Sequence, residues 1–219
     1  MAVEDLSLDR DDVKPNLFKS HKFKAGEVVR AGLVFVDKAK IFKGAQVHYA
    51  DRYFLCKSTK EQKAICCTAS YKGNNTRWRI GSVLVIYEIQ KIKGDDGKIK
   101  EKLVGYKVVP WVFSEKVYQM IKASDEQFPL EAHDILITCG QNEEFQNITV
   151  QACNACYWRS KEELKSKVLD EYDALVEGIA KNLGADFSLE EIREQIGIDT
   201  PGSEDAASDV KLDDVLDGI

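Results

Sequence analysis

The chain opens on a polar stretch, residues 1–18, that carries Pro15 and reads as a flexible, irregular arm. From Gly26 the pattern changes to short apolar runs rich in β-branched residues and bounded by polar turns, which is how strands read. Val28–Val36, Ala45–Tyr49, Arg52–Cys56 and Ala64–Ala69 each predict a strand. The strongest strand pattern is Trp78–Tyr87, preceded by the turn cluster Lys72–Thr76. Gly94-Asp95-Asp96-Gly97 predicts a hairpin turn, and Leu103–Val112 the returning strand, with Pro110 marking an edge or a bulge. Ser114 caps a predicted helix over Glu115–Lys122. Asp134–Cys139 and Asn147–Ala152 predict two further strands.

The last third is helical. Ser160-Lys161-Glu162-Glu163 has the capping-box pattern, and Leu164, Val168, Tyr172, Leu175, Val176 and Ile179 follow at helical spacing. A second capping box, Ser188-Leu189-Glu190-Glu191, opens a short helix that ends at Gly197. Residues 199–219 are rich in Pro, Gly, Ser and Asp and predict a disordered tail. The fold class expected is mainly β with helical additions (α+β). It is a small Greek-key barrel over residues 19–198 with helical additions, followed by an acidic C-terminal tail.

Charge changes this picture. The formal net charge of −6 conceals −3 over residues 1–18, +13 over 19–123, −10 over 124–198 and −6 over 199–219. A basic block joined to an acidic half and an acidic tail points to a polyanionic partner, and to a tail that imitates or competes with it. No run approaches the roughly 18 uncharged apolar residues of a membrane helix. The acidic N-terminus has no apolar signal region, and six cysteines fit a reducing cytoplasm, so no membrane and a cytoplasmic location are expected.

The basic block interleaves cations with rings: Arg52-Tyr53, Tyr71-Lys72, Arg77-Trp78-Arg79, Tyr106-Lys107 and Trp111, with Tyr157-Trp158-Arg159 beyond it. A positive groove that tracks phosphates and aromatic faces that stack bases are the two devices of single-strand binding. These thirteen residues are therefore the candidate DNA contacts. Phe35, Phe54, Tyr87 and Phe113 lie in apolar runs and read as core.

His48, Cys56, Cys66 and Cys67 fall within twenty residues and supply the donor count of a structural zinc site. Adjacent cysteines on a regular strand point to opposite faces, so Cys66 and Cys67 share one metal only if the chain turns there. Small buried thiols are the alternative. Cys153-Asn154-Ala155-Cys156 stands at a strand end without a second pair and reads as structural.

In order along most of its length the chain resembles the single-stranded DNA-binding, helix-destabilising proteins of T-even phages. The resemblance rests on Lys24–Arg30, on His48 with Cys56-Lys57-Ser58-Thr59 and Cys66, and on Trp78 with Ser82–Ile86. It extends over Trp111–Tyr118, Cys156–Arg159 and the terminal Lys211–Ile219. That family separates its last two cysteines by two residues, whereas here they touch. The resemblance implies an OB-fold-like Greek-key barrel with a small zinc subdomain, in a non-enzymatic protein that coats single-stranded DNA in phage replication, recombination and repair. It also implies a zinc cofactor held by the four donors, and replication and recombination partners recruited through the acidic tail. Two rivals are a zinc-dependent nucleic-acid enzyme and a protein-interaction adaptor acting through that tail.

Overall fold

The computed structural model describes residues 19–93, 97, 99–140 and 147–198. The arm over 1–18, the tail over 199–219 and most of the Gly94–Gly97 turn lie outside them. Seven strands and four helices follow one another as β1 (Val28–Val34), β2 (Lys43–Tyr49), β3 (Tyr53–Leu55), α1 (Ile65–Thr68), β4 (Arg77–Lys93), β5 (Ile99–Ser114), α2 (Glu115–Gln127), β6 (His133–Cys139), β7 (Ile148–Ala155), α3 (Glu162–Asn182) and α4 (Leu189–Ile196). The protein is α+β, built on one mostly antiparallel sheet.

The long strand β4 organises that sheet. Along one edge it pairs first with β2 (Gln46 opposite Trp78) and then with β1 (Leu33 opposite Leu84). Its other edge pairs with β5 from Arg79 opposite Ser114 to Lys93 opposite Ile99. β1 continues the path to β6 and β7, giving the order β5-β4-β1-β6-β7, with β2 and β3 added beside β4. Among the described residues no pairing joins β5 to β7, so the sheet is not closed. The segment at Ser20–His21 lies along β5 instead, where His21 N–H donates to the Pro110 carbonyl (2.7 Å) and Val112 N–H to Ser20 Oγ (2.8 Å). Pro110 thus sits on a strand with a strand neighbour on one side only, as its missing N–H requires.

Residues 80–87 of β4 are all buried because both faces of the sheet are covered. Ile80, Leu84 and Ile86 face an inner cluster with Leu33, Trp111, Phe113, Ile121, Ile135 and Ile137. Val83, Val85 and Tyr87 face α3 through Trp158, Val168, Tyr172 and Ile179. A third cluster, Phe54, Cys66, Phe187 and Ile192, ties α4 to β3 and α1. Phe35, Phe54, Tyr87 and Phe113 are core, as their apolar surroundings predict.

Three local readings change. Ser114 stands at the N-cap position of α2, but its side chain makes no capping hydrogen bond. Ala64–Ala69 is not a strand: Ile65–Thr68 forms one helical turn, and just before it Ser58 Oγ accepts from Ala64 N–H at 2.9 Å. Ser160 does not cap α3. It ends a short 3-10 turn, Trp158–Ser160, and its hydroxyl donates to the Tyr157 carbonyl at 2.7 Å, leaving Lys161 at the cap. The second capping box forms as expected, with Ser188 N–H to Glu191 Oε2 at 2.7 Å and Glu191 N–H to Ser188 Oγ at 3.2 Å. Gly197 then closes α4 at φ 72°, a conformation glycine adopts without steric cost.

Candidate metal cluster and basic groove

The change from strand to helical turn is what assembles the donors. Neighbours on a helix diverge by about 100° rather than 180°, so Cys66 and Cys67 can both face inward from α1. His48 comes from β2 and Cys56 from the end of β3, which are hydrogen-bonded neighbours with His48 opposite Phe54. One donor atom from each of the four lies within 4.8 Å of every other. Cys67 Sγ is 3.5 Å from Cys56 Sγ and 3.4 Å from His48 Nε2. Tetrahedral bonds of the usual zinc lengths put donors about 3.3–3.8 Å apart, so the group is close enough to bind a metal ion.

Hydrogen-bond donors reach three sulfurs of the group. Backbone N–H groups of Lys57 and Ser58 serve Cys66 and Cys56 respectively, and Ser58 Oγ–H donates to Cys67 Sγ at 2.9 Å. Burial raises the Cys56 thiol, but the Ser58 donors and the neighbouring thiols bring it below its ordinary value. Cys66, fully buried, is pushed up to about 11 by burial and by the adjacent sulfurs. Burial lowers His48, which keeps the imidazole neutral as a metal ligand must be. Its ring stacks on Phe54 at 5.6 Å, and Nδ1 is buried without a hydrogen-bond partner of good geometry. Tyr71, a candidate DNA contact, instead joins this cluster: its hydroxyl donates to the Cys66 carbonyl at 2.8 Å.

A groove of about 630 Å³ runs beside the sheet, lined by Arg77, Trp78 and Arg79 at the start of β4 and Val112–Ser114 at the end of β5. Tyr53 on β3, and Lys22 and Lys116 from the flanking segment and α2, complete its polar rim. Arg77 is exposed, and Trp78 keeps 41% of its surface open to solvent. Arg79 is half-buried with a structural duty: it donates to the Leu183 carbonyl at 2.7 Å and covers the Tyr53 ring at 4.3 Å.

The other candidate contacts fall elsewhere. Arg52 is exposed and lies over Phe187 at 4.5 Å. Lys72 and Lys107 are exposed but do not line the groove, and Tyr106 packs against the α3 cluster. Trp111 (1% exposed) and Trp158 (0%) are sealed in the two main clusters, so neither ring offers a face to a base in this conformation. Tyr157-Trp158-Arg159 joins α3 to the sheet. Tyr157 N–H donates to buried Asp134 at 3.2 Å, Trp158 N–H to Tyr87 Oη at 3.1 Å, and Arg159 to the Phe35 carbonyl at 2.8 Å. Asp134 also accepts from Arg30 at 2.8 Å and from Tyr87 Oη–H at 3.0 Å. Burial raises its carboxyl, against the pull of Arg30.

Lys22 and Lys116 were missed by the pairing of rings with adjacent cations: Lys116 has no ring next to it, and Lys22 stands between His21 and Phe23, which that pairing did not include. Their membership of the basic block is the signal that could have found them. Among the described residues no helix is long and apolar enough to cross a membrane. No family model, curated protein or solved structure matches the chain.

Proposed function

We propose that this protein binds single-stranded DNA without strong sequence preference, and that it coats exposed strands in the host cytoplasm during phage replication, recombination and repair. The observation that carries this reading is the groove in which half-exposed Trp78 stands among Lys22, Arg77 and Lys116. It joins a stacking surface to phosphate-binding cations. The strand order supports an OB-type barrel, partly open between β5 and β7. In that fold the second and third strands carry the oligonucleotide face, and β4 and β5, which line the groove, hold those places in the order β1-β4-β5.

The metal we assign is zinc, held by His48, Cys56, Cys66 and Cys67. Four protein donors leave no open position for a substrate, which supports a structural rather than a catalytic ion and a binding protein rather than an enzyme. The acidic tail, 199–219, is the segment we assign to replication and recombination partners, on its charge and its aliphatic residues.

Trp78→Ala is expected to weaken single-strand binding by about 1–3 kcal/mol, with little change in melting temperature because the ring is half-exposed. Arg77→Ala should reduce the slope of log affinity against log salt by about 1. Anisotropy titrations at several salt concentrations, beside thermal melts, check both. Unchanged affinity in Trp78→Ala would remove the groove as the interface.

A further inference from the structure

The same Trp78 is also one wall of a second, smaller notch, about 290 Å³, lined by Phe42, Gly44, Ile80, Glu115 and Tyr118. We infer that this notch takes one base out of the bound strand and prefers guanine. The inference rests on the single-strand reading above and adds base selection to it.

Rings line the notch on more than one side. Trp78 belongs to β4, while Tyr118 on α2 meets Phe42 edge-on at 5.2 Å. Gly44 opens the floor. A Cβ there would meet the Trp78 ring at 3.5 Å and Ile80 at 3.7 Å, ordinary contact distances, so a larger side chain suits the backbone but fills the space. Glu115, the first residue of α2, lines both the notch and the basic groove. It is exposed, and its carboxylate has no hydrogen bond or ion pair among the described residues.

A carboxylate beside Lys22, Arg77 and Lys116 works against phosphate binding, so its place at the shared lip fits a base edge better than a backbone. An ionised carboxylate only accepts hydrogen bonds. Guanine offers it two adjacent donors, N1–H and the N2 amine. Adenine and cytosine each offer an amine beside an acceptor. Thymine offers one N–H between two carbonyl oxygens, which repel the carboxylate. The expected order places guanine first and thymine last.

The test is fluorescence anisotropy with the full-length, metal-loaded protein and short oligo-dT strands whose central position is dG, deoxyinosine, dT or abasic. The dG strand should bind at least about fivefold more tightly than all-dT, the lower end of what a bidentate pair discriminates. Deoxyinosine, which lacks the N2 amine, should fall between them. Glu115→Gln should abolish the dG advantage and tighten all-dT binding, because the charge that opposes phosphate beside Lys22, Arg77 and Lys116 is removed. Gly44→Val should lower the dG affinity to the abasic level while the fold is kept. Equal affinity for dG and dT strands, with tryptophan fluorescence still quenched, overturns the notch and leaves the groove standing. A dG advantage that survives in Glu115→Gln overturns the role of that carboxylate. No binding to any strand at low salt overturns the notch and the single-strand reading together.

Discussion

Replacing Cys67 by Ser is expected to release the metal and lower the melting temperature by about 8–16 °C. The size follows from mass action: a ligand at a thousand times its dissociation constant stabilises the fold by about 4 kcal/mol. In a chain of this length each kcal/mol moves the midpoint by about 2–4 °C. Cys67 is the most connected of the four donors, with Cys56 Sγ at 3.5 Å, His48 Nε2 at 3.4 Å and Ser58 Oγ at 2.9 Å. Its loss leaves His48 and Cys66 buried without the ion that would satisfy them. Metal analysis of protein prepared without chelators should give about one zinc per chain, none in Cys67→Ser, and an unchanged content in Cys153→Ser. A full metal content in Cys67→Ser would place the fourth ligand elsewhere.

Trp158→Ala is expected to cost about 3–5 kcal/mol of stability, the range for large aromatic truncations in a core. The indole is fully buried and lies over Gly32, where a Cβ would stand 2.5 Å from Cδ1. The Arg159 guanidinium lies 4.3 Å from both the Trp158 and Phe35 rings. Truncation therefore opens a cavity between β1 and α3 and loosens the stack that docks the helix. Urea unfolding followed by circular dichroism measures this loss. A change below about 1 kcal/mol, the scale of surface substitutions, would show that the ring is not the anchor described. Set beside Trp78→Ala, this variant separates core indoles from the exposed one.

That contrast marks what the residues alone disclose. β4 is legible because Val83–Tyr87 is a continuous apolar run, the signature of a strand covered on both faces. The interior role of Phe35, Phe54, Tyr87 and Phe113 follows in the same way from their apolar neighbours. Trp78, Trp111 and Trp158 look alike in sequence, each close to a cation or an apolar strand. Which of them is sealed depends on where α3 and the segment at Ser20–Phe23 pack, and those contacts join residues far apart along the chain. The four candidate metal donors are legible as a set. Their convergence is not, because Ala64–Ala69 is too short for its apolar residues to distinguish strand from helix. What accompanies the turn is a contact from six residues upstream, where Ser58 Oγ accepts from Ala64 N–H just before the first helical residue. Ser160 fails as a cap for a related reason: the chain before it is already in a 3-10 turn, whose carbonyl claims the hydroxyl.

The central claim is that single strands bind in the groove against Trp78. Its most direct test is titration of intrinsic tryptophan fluorescence with a single-stranded oligonucleotide and with the matching duplex, each at low and at high salt. Trp111 and Trp158 are shielded, so the signal reports on Trp78. The account predicts strong quenching by single strands, much weaker binding to duplex, affinity that falls steeply with salt, and no quenching in Trp78→Phe. Equal affinity for duplex and single strands, or quenching that persists in Trp78→Phe, would contradict it.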